Sequence, residues 1–486
     1  MLRRKTVRLK CSITGVLVAA CLTAGCRLHS VDESVTPAVP GGKAFTISPD
    51  GVEAPNRWWR SLGDQKLTAL VEKALSNNLG LQQARLRIEQ AESLEHQAAT
   101  SLYPALDASA DTKRKWPDVG VKYTDSLAGS LELSWEADLW QRLTSIRRAA
   151  GADMSASRED LQATALLLAG EVTETYLGVI EQKLQLALLT RQVEVSKTLL
   201  DLIELRFSVG ESDIVDVFQQ RQQLASTQAQ FPLIRARRRV LANRLKILIA
   251  RSPTDSPEAA AEDLPVLLPL PKTGVPSTLL TNRPDLRMIR YELIAADHRV
   301  AEAVADRLPR LQIGLERGYS DTNFRQLTSE GLFTSLMANL AGPVVDWGQR
   351  KAEVQRRRAI VKERVLELSE AYLTAIGEVE DALWRERRQR ELIAALDKEL
   401  GIARRNLKET RIRFAQAALT DYLPVLAAVQ SLQALERNLL TRRRELVSIR
   451  ILLYRALGGA QPWTTVKSAV EGEPKKQPEF GRKNKS

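Results

Sequence analysis

Cysteine is nearly absent from this chain of 486 residues: it occurs three times, as Cys11, Cys21 and Cys26. The first two precede a cleavage signal and leave with it, so the mature chain keeps one thiol and forms no internal disulfide. Histidine is as scarce. His29, His96 and His298 lie far apart with no metal-ligand spacing, and His96 and His298 read as residues decorating helices. No thiol nucleophile survives maturation and no glycine-rich phosphate loop follows a strand, so enzyme chemistry has no foothold. Glu378, Glu380 and Asp381 fall on a helical heptad and read as structural acids that pair with arginines on neighbouring helices. No cofactor and no metal are expected. Proline is missing from residues 118–231 and again from 344–423, so nothing covalent breaks a helix across either stretch.

Those two stretches hold the main pattern. Apolar residues recur every seven positions at Val172, Val179, Leu186, Val193, Leu200 and Phe207. The same period returns 207 residues later at Val379, Glu386, Ile393, Leu400, Leu407 and Phe414, with Glu386 as its one polar member. A sustained seven-residue repeat means a supercoiled helix pressed on neighbours. A helix of about 70 residues runs roughly 100 Å, far more than a globular domain needs.

The rest of the chain is duplicated too. Leu75 to Leu106 aligns without a gap on Leu280 to Leu311, and the shared positions include Asn77/Asn282, Arg85/Arg290, Pro104/Pro309 and Leu106/Leu311. After each helix-stopping proline the period changes. Leu131, Leu133 and Trp135 alternate with Ser130, Glu132, Ser134 and Glu136, and Leu311, Ile313 and Leu315 alternate with Gln312, Gly314 and Glu316. That is a strand with one dry and one wet face. The first repeat spans 58–257, with a β-hairpin at about 105–138 and a long helical hairpin at about 139–250. The second spans 258–459, with a β-hairpin at about 310–346 and a helical hairpin at about 347–457. Residues 460–486 read as a disordered tail.

The net charge of +12 falls to +7 once the segment 1–25, with Arg3, Arg4, Lys5, Arg8 and Lys10, is removed. The remaining arginine clusters sit among glutamates at helical spacing as a solvated face, so no nucleic acid is expected. Residues 1–25 form an export signal, with an apolar core from Ile13 to Leu22 that is too short to span a membrane. Leu22-Thr23-Ala24-Gly25-Cys26 resembles the bacterial lipobox, which implies acylation (palmitate) at Cys26. Arg27, where an inner-membrane lipoprotein commonly has aspartate, favours the outer membrane. Residues 26–57 then read as an extended tether.

Two strands per repeat give four per chain. Four cannot close a barrel, and open edges have no partners in lipid, so the chain must assemble; three copies would supply twelve strands. The long helices then leave the membrane and enclose a conduit whose far end needs a closure. The helix turns are the candidates: Asp216, Asp421, Tyr422, Leu423 and Pro424 for the closure itself, and Arg206, Val209, Gly210, Asp213, Arg413, Ala417 and Ala418 at the tips as contacts for a docking partner. Asp213 and Asp421 serve equally as N-caps of the returning helices.

Trp58-Trp59-Arg60-Ser61-Leu62-Gly63-Asp64, Asn282-Arg283-Pro284-Asp285-Leu286, Glu378 to Leu383, Asp421 to Leu426 and Ala456-Leu457-Gly458-Gly459 occur in an order and spacing that name a family. The chain resembles the outer-membrane factors, the TolC-like efflux channels, in particular their lipoprotein (NodT-type) branch. The resemblance implies a homotrimer with a twelve-stranded β-barrel, a periplasmic α-barrel, a periplasmic adaptor, and an inner-membrane pump of the resistance-nodulation-division type. It also implies a tip that opens on docking. The aspartate that many members carry four residues after the Leu423 position is Ala427 here, so closure is expected from Leu423 with the Asp421 carboxylates nearby, the alternative being that Leu423 and Tyr422 pack between helices. A type I secretion duct and a lipid-tethered coiled-coil scaffold that transports nothing are the other readings.

Overall fold

The computed structural model describes residues 29–32, 36–47, 57–116, 124–255, 261–321, 331–416 and 421–459. The export signal, Cys26, Ala417, Ala418, parts of both hairpin loops and residues 460–486 lie outside them.

Asp64 opens the first regular helix, its carboxylate accepting the N–H groups of Lys66 and Leu67 at 2.8 and 3.1 Å, donors that a helix start otherwise leaves unpaired. Helices α1 (Gln65–Asn77) and α2 (Leu79–Thr100) follow, then strands β1 (Ala105–Lys115) and β2 (Thr124–Ala137). Next come α3 (Arg142–Ser208), α4 (Ile214–Gln228) and α5 (Gln230–Leu248). The order then repeats as α6 (Leu279–Asn282), α7 (Pro284–Ala305), β3 (Arg310–Asp321), β4 (Leu332–Ala341), α8 (Gln349–Ala415) and α9 (Leu423–Ala456). The two long helices α3 and α8 have 67 residues each, about 100 Å at 1.5 Å per residue.

The returning helices differ. The sequence suggests one continuous helix to Ile249, but α4 stops at Gln228 and α5 restarts at Gln230. Pro232 explains the break: it has no N–H to give the Gln228 carbonyl, and its ring crowds that oxygen. In the second repeat the proline stands at the second position of α9, where no N–H is needed, and the helix runs unbroken for 34 residues.

The chain divides into two compact units. The first takes the N-terminal stretch up to Pro40 with Gln83–Asp160 and Asp285–Tyr372. It contains the four-stranded antiparallel sheet, in the order β1-β2-β3-β4. Its register puts Leu106, Leu133, Leu315 and Leu336 in one row and Trp135, Ile313 and Ala338 in the next-but-one. These side chains share one face, which the described residues leave open to solvent at β4: Leu336 is 76% exposed and Leu340 65%. The opposite face is polar, with Asp107, Glu132, Glu316 and Ser335 in one row. Below the strands, Ala149, Ala152 and Ala156 of α3 are buried, as are Leu293, Val300 and Ala303 of α7 and Val354 and Leu368 of α8. Ion pairs join these helices: Arg287 to Glu159 at 2.7 Å, Arg364 to Glu292 at 3.1 Å, and Arg299 to Asp153. His298 is buried on α7, whereas the sequence suggests a surface position.

The second unit takes Gly41–Gln82, Leu161–Pro284 and the chain from Leu373 onward. Its core stacks Trp58 on Tyr454 with centroids 5.6 Å apart, around Leu67, Val71, Leu81, Val172 and Leu177. The family-like motifs meet here. Arg283 binds Glu378 at 2.5 Å and the Ala456 carbonyl at 3.2 Å. Gly458, at φ 92°, lies against the Asn282 backbone, where any Cβ would come within 2.8 Å. Glu378 is thus a structural ion-pair partner, and Glu380 accepts the Thr46 N–H at 2.7 Å.

Residues 29–32 and 36–47, part of the stretch 26–57 expected as an extended tether, make contacts with helices. Within the first unit His29 contacts Asp297 at 2.6 Å and the Ala38 N–H reaches Ser369 Oγ at 2.9 Å. Within the second, Phe45 is buried.

Glu386, the polar exception in the heptad, is fully buried against Arg450 of α9, whose Nε reaches its carboxylate at 2.8 Å. The same guanidinium donates to the carbonyls of Leu268 and Pro269 at 2.9 and 3.1 Å, so the connector between the repeats is pinned to the long helices.

Candidate functional site at the helix turns

Both turns at the ends of the long helices belong to the second unit. The first is closed by backbone geometry. Gly210, at φ 80°, donates to the Phe207 carbonyl at 3.0 Å, and Glu211 donates to that of Arg206 at 2.8 Å. This is a Schellman end, which favours a residue without a Cβ at the left-handed position. Asp213 then caps α4, accepting the Val215 N–H at 2.9 Å, while Asp216 reaches back to the Asp213 N–H and takes the Ser212 hydroxyl at 2.8 Å. Asp421 accepts the Leu423 N–H at 2.9 Å, and Pro424 follows in the first turn of α9. Asp213 is thus the N-cap of α4, whereas Asp421 stands one residue before the N-cap of α9, Tyr422, and takes the Leu423 N–H from there.

Arg206 ties the two turns together. Its side chain is buried, lies 4.4 Å over the Phe414 ring, and donates to the Phe414 carbonyl from Nη1. Phe414 in turn meets Tyr422 with ring centroids 5.5 Å apart. Leu199, Ile203, Val217, Leu407 and Val425 complete this cluster.

The predicted site residues separate into two sets. Arg206 and Tyr422 are buried in the seam, with Asp216 beside them. Leu423 is 55% exposed, and Val209 and Arg413 are also exposed. Tyr422 is fully buried and its hydroxyl donates to Gln220 Oε1 at 2.5 Å. Burial, with the Asp216 carboxylate as a second cause, pushes that hydroxyl well above the ordinary tyrosine range.

A ladder of amides continues from Tyr422 along the seam. Gln220 donates to the Ser196 carbonyl at 2.6 Å, and Gln433 donates to Ser196 Oγ at 3.3 Å. Gln223 reaches Gln433 at 3.1 Å, and Gln430 reaches Gln223 at 2.9 Å. Gln192 donates to the Gln433 carbonyl at 3.2 Å and accepts from Arg437 at 2.7 Å. Reading the apolar heptad alone overlooks these residues. The signal is a second heptad on α3, Gln185, Gln192, Leu199 and Arg206, every member of which is buried. Amides and a guanidinium at core spacing mark a seam held by directional bonds.

The sequence profile for outer membrane efflux proteins matches residues 70–251 and 275–459, one block for each repeat. The chain belongs to that family. It is a protein of the outer membrane, with the efflux-channel fold. The pyoverdine export outer membrane protein OpmQ of Pseudomonas putida is 29% identical, over 86% of this chain and 91% of its own length. The probable outer membrane lipoprotein SilC of Salmonella typhimurium is 24% identical, over 90% of this chain and 96% of its own. Among solved structures, CusC superposes with a TM-score of 0.82 at 22% identity, covering 90% of this chain and all of that one, a likeness of fold.

Proposed function

We propose that the chain is the outer-membrane exit duct of a tripartite efflux system, passing small molecules received from a periplasmic adaptor and an inner-membrane pump. The observation that carries this reading is the sheet. It has an uncovered apolar face, an acidic and serine-rich opposite face, and two free edges at β1 and β4. Such a sheet has no stable place in water or in lipid until its edges are paired. Three copies would pair β4 of one with β1 of the next and close a barrel of twelve strands, within the usual range for outer-membrane barrels. A lipid-tethered scaffold has no use for this face. Export of pyoverdine by OpmQ favours small-molecule cargo over type I protein secretion. Acylation at Cys26 would hold the N-terminus at the membrane.

The turns are the gate of this duct. Leu423 projects from the tip as the closing side chain, while Tyr422 holds the start of α9 on Gln220 of α4, Gln220 holds α4 on α3, and Arg206 of α3 holds the end of α8 at Phe414. Val209, Gly210, Asp213 and Arg413 offer the surface to the adaptor, and Arg206, buried beneath them, supports it.

Cysteines at the two edges test the assembly. Carrying the β2–β3 register over to β4 and the next β1 puts Ala341 opposite Ser109 on the polar face. Ser109→Cys with Ala341→Cys should give covalent trimers under oxidation in detergent, and neither single variant should. Dimers as the end product, or no cross-linking in a folded sample, would reject the closed barrel.

A further inference from the structure

The apolar face of the sheet carries one misplaced charge. From the row of Ala137, Leu311 and Leu340 to the row of Ala110, Gly129, Tyr319 and Leu332, every side chain on that face is uncharged except Arg317 on β3. Its row neighbours are Leu131 and Thr334, and along its own strand Leu315 precedes it and Tyr319 follows. Arg317 is exposed, and it is absent from every ion pair among the described residues.

Taking this face as the lipid-facing one, which rests on the barrel proposed above, the depth of Arg317 can be placed. The helices leave the sheet at the Arg310 and Ala341 ends, so the loop ends of the strands point outward. With strands tilted about 40° and rising about 3.3 Å per residue, each residue climbs roughly 2.5 Å. Arg317 then stands roughly 15 Å above the Leu311 row and roughly 10 Å below that of Leu127, within an apolar band about 25 Å tall. An arginine there is costly unless its head snorkels towards the interface.

The neighbouring row lets it do so. Beyond Arg317 the face carries Ala110 and Gly129, so no side chain larger than a methyl stands over β1 and β2 there. Tyr319 bounds this shallow trough on one side, and at the outer margin of the same face Arg114 lies over the Trp116 ring at 6.0 Å.

We infer that Arg317 and this trough form a site on the barrel wall for a phosphate-bearing lipid of the outer leaflet. The guanidinium binds a headgroup phosphate bidentately, and an acyl chain lies over Ala110 and Gly129.

The test uses the full chain in detergent, comparing wild type with Arg317→Gln and Arg317→Lys. The thermal midpoint is measured with diphosphoryl lipid A, with the same glycolipid stripped of phosphate, and with inorganic phosphate. Diphosphoryl lipid A should raise the wild-type midpoint, the other two additives should not, and Arg317→Gln should lose at least half of the rise while Arg317→Lys, which keeps the charge but not the fork, falls between wild type and Arg317→Gln. An undiminished rise in Arg317→Gln, or an equal rise with the dephosphorylated glycolipid, overturns the site and leaves the barrel standing. A Cys26→Ala chain that stays soluble without detergent overturns the barrel, and the site with it.

Discussion

At the scale of single residues, the buried pair Glu386–Arg450 is the most exposed to test. Removing one partner leaves a charge in the core, whereas replacing both removes the problem along with the attraction. Arg450→Met should cost about 3 kcal/mol or more of stability, and Glu386→Leu with Arg450→Met should recover most of it, as read from denaturant midpoints in detergent. The sequence showed Glu386 as an anomaly in an apolar heptad; its partner, 64 positions away on α9, has no local signature. Tyr422 is a milder case. Tyr422→Phe removes one neutral hydrogen bond, worth about 1 kcal/mol. Because the folded-state pKa lies above the ordinary 10, the hydroxyl's contribution is intact below that value and fades as pH climbs through the folded one. Wild type and Tyr422→Phe should therefore keep a constant gap below about pH 9 and converge above about pH 10. A gap that closes in mild acid would place the bond elsewhere.

At the scale of elements, the turns were legible because turn chemistry is local. Gly210 and Asp213 announce a helix end and a helix start whatever surrounds them. Gly210→Ala should cost about 1 kcal/mol through its left-handed backbone, and Asp213→Ala about the same through the lost cap, both measurable as earlier thermal loss of helicity. The strands were legible from Leu131-Trp135 alternation behind Pro104, and the long helices from their heptads and lack of proline. The break before Pro232 shows that one imino acid outweighs a continuing apolar pattern. The amide ladder was not legible, because glutamine on a helix is ordinarily a solvent residue. Only the seam between helices far apart in sequence makes Gln192, Gln220 and Gln433 interior.

At the scale of the whole molecule, the duplication accounts for both what a single chain completes and what it leaves open. Each repeat supplies one helical hairpin and two strands, and the seam between repeats is finished inside the chain by Arg206, Tyr422 and the amides. Among the described residues the sheet is not finished, since β1 and β4 stand at its two edges. In the proposed duct, that unequal completion would put the moving part at the tip and the assembly surface at the membrane. Single-channel conductance of the purified protein in a planar bilayer, wild type beside Leu423→Ala, tests both at once. A gated duct predicts small, mostly closed currents from wild type and larger, longer openings from Leu423→Ala. Trimers that insert and yet conduct nothing with either protein would contradict it.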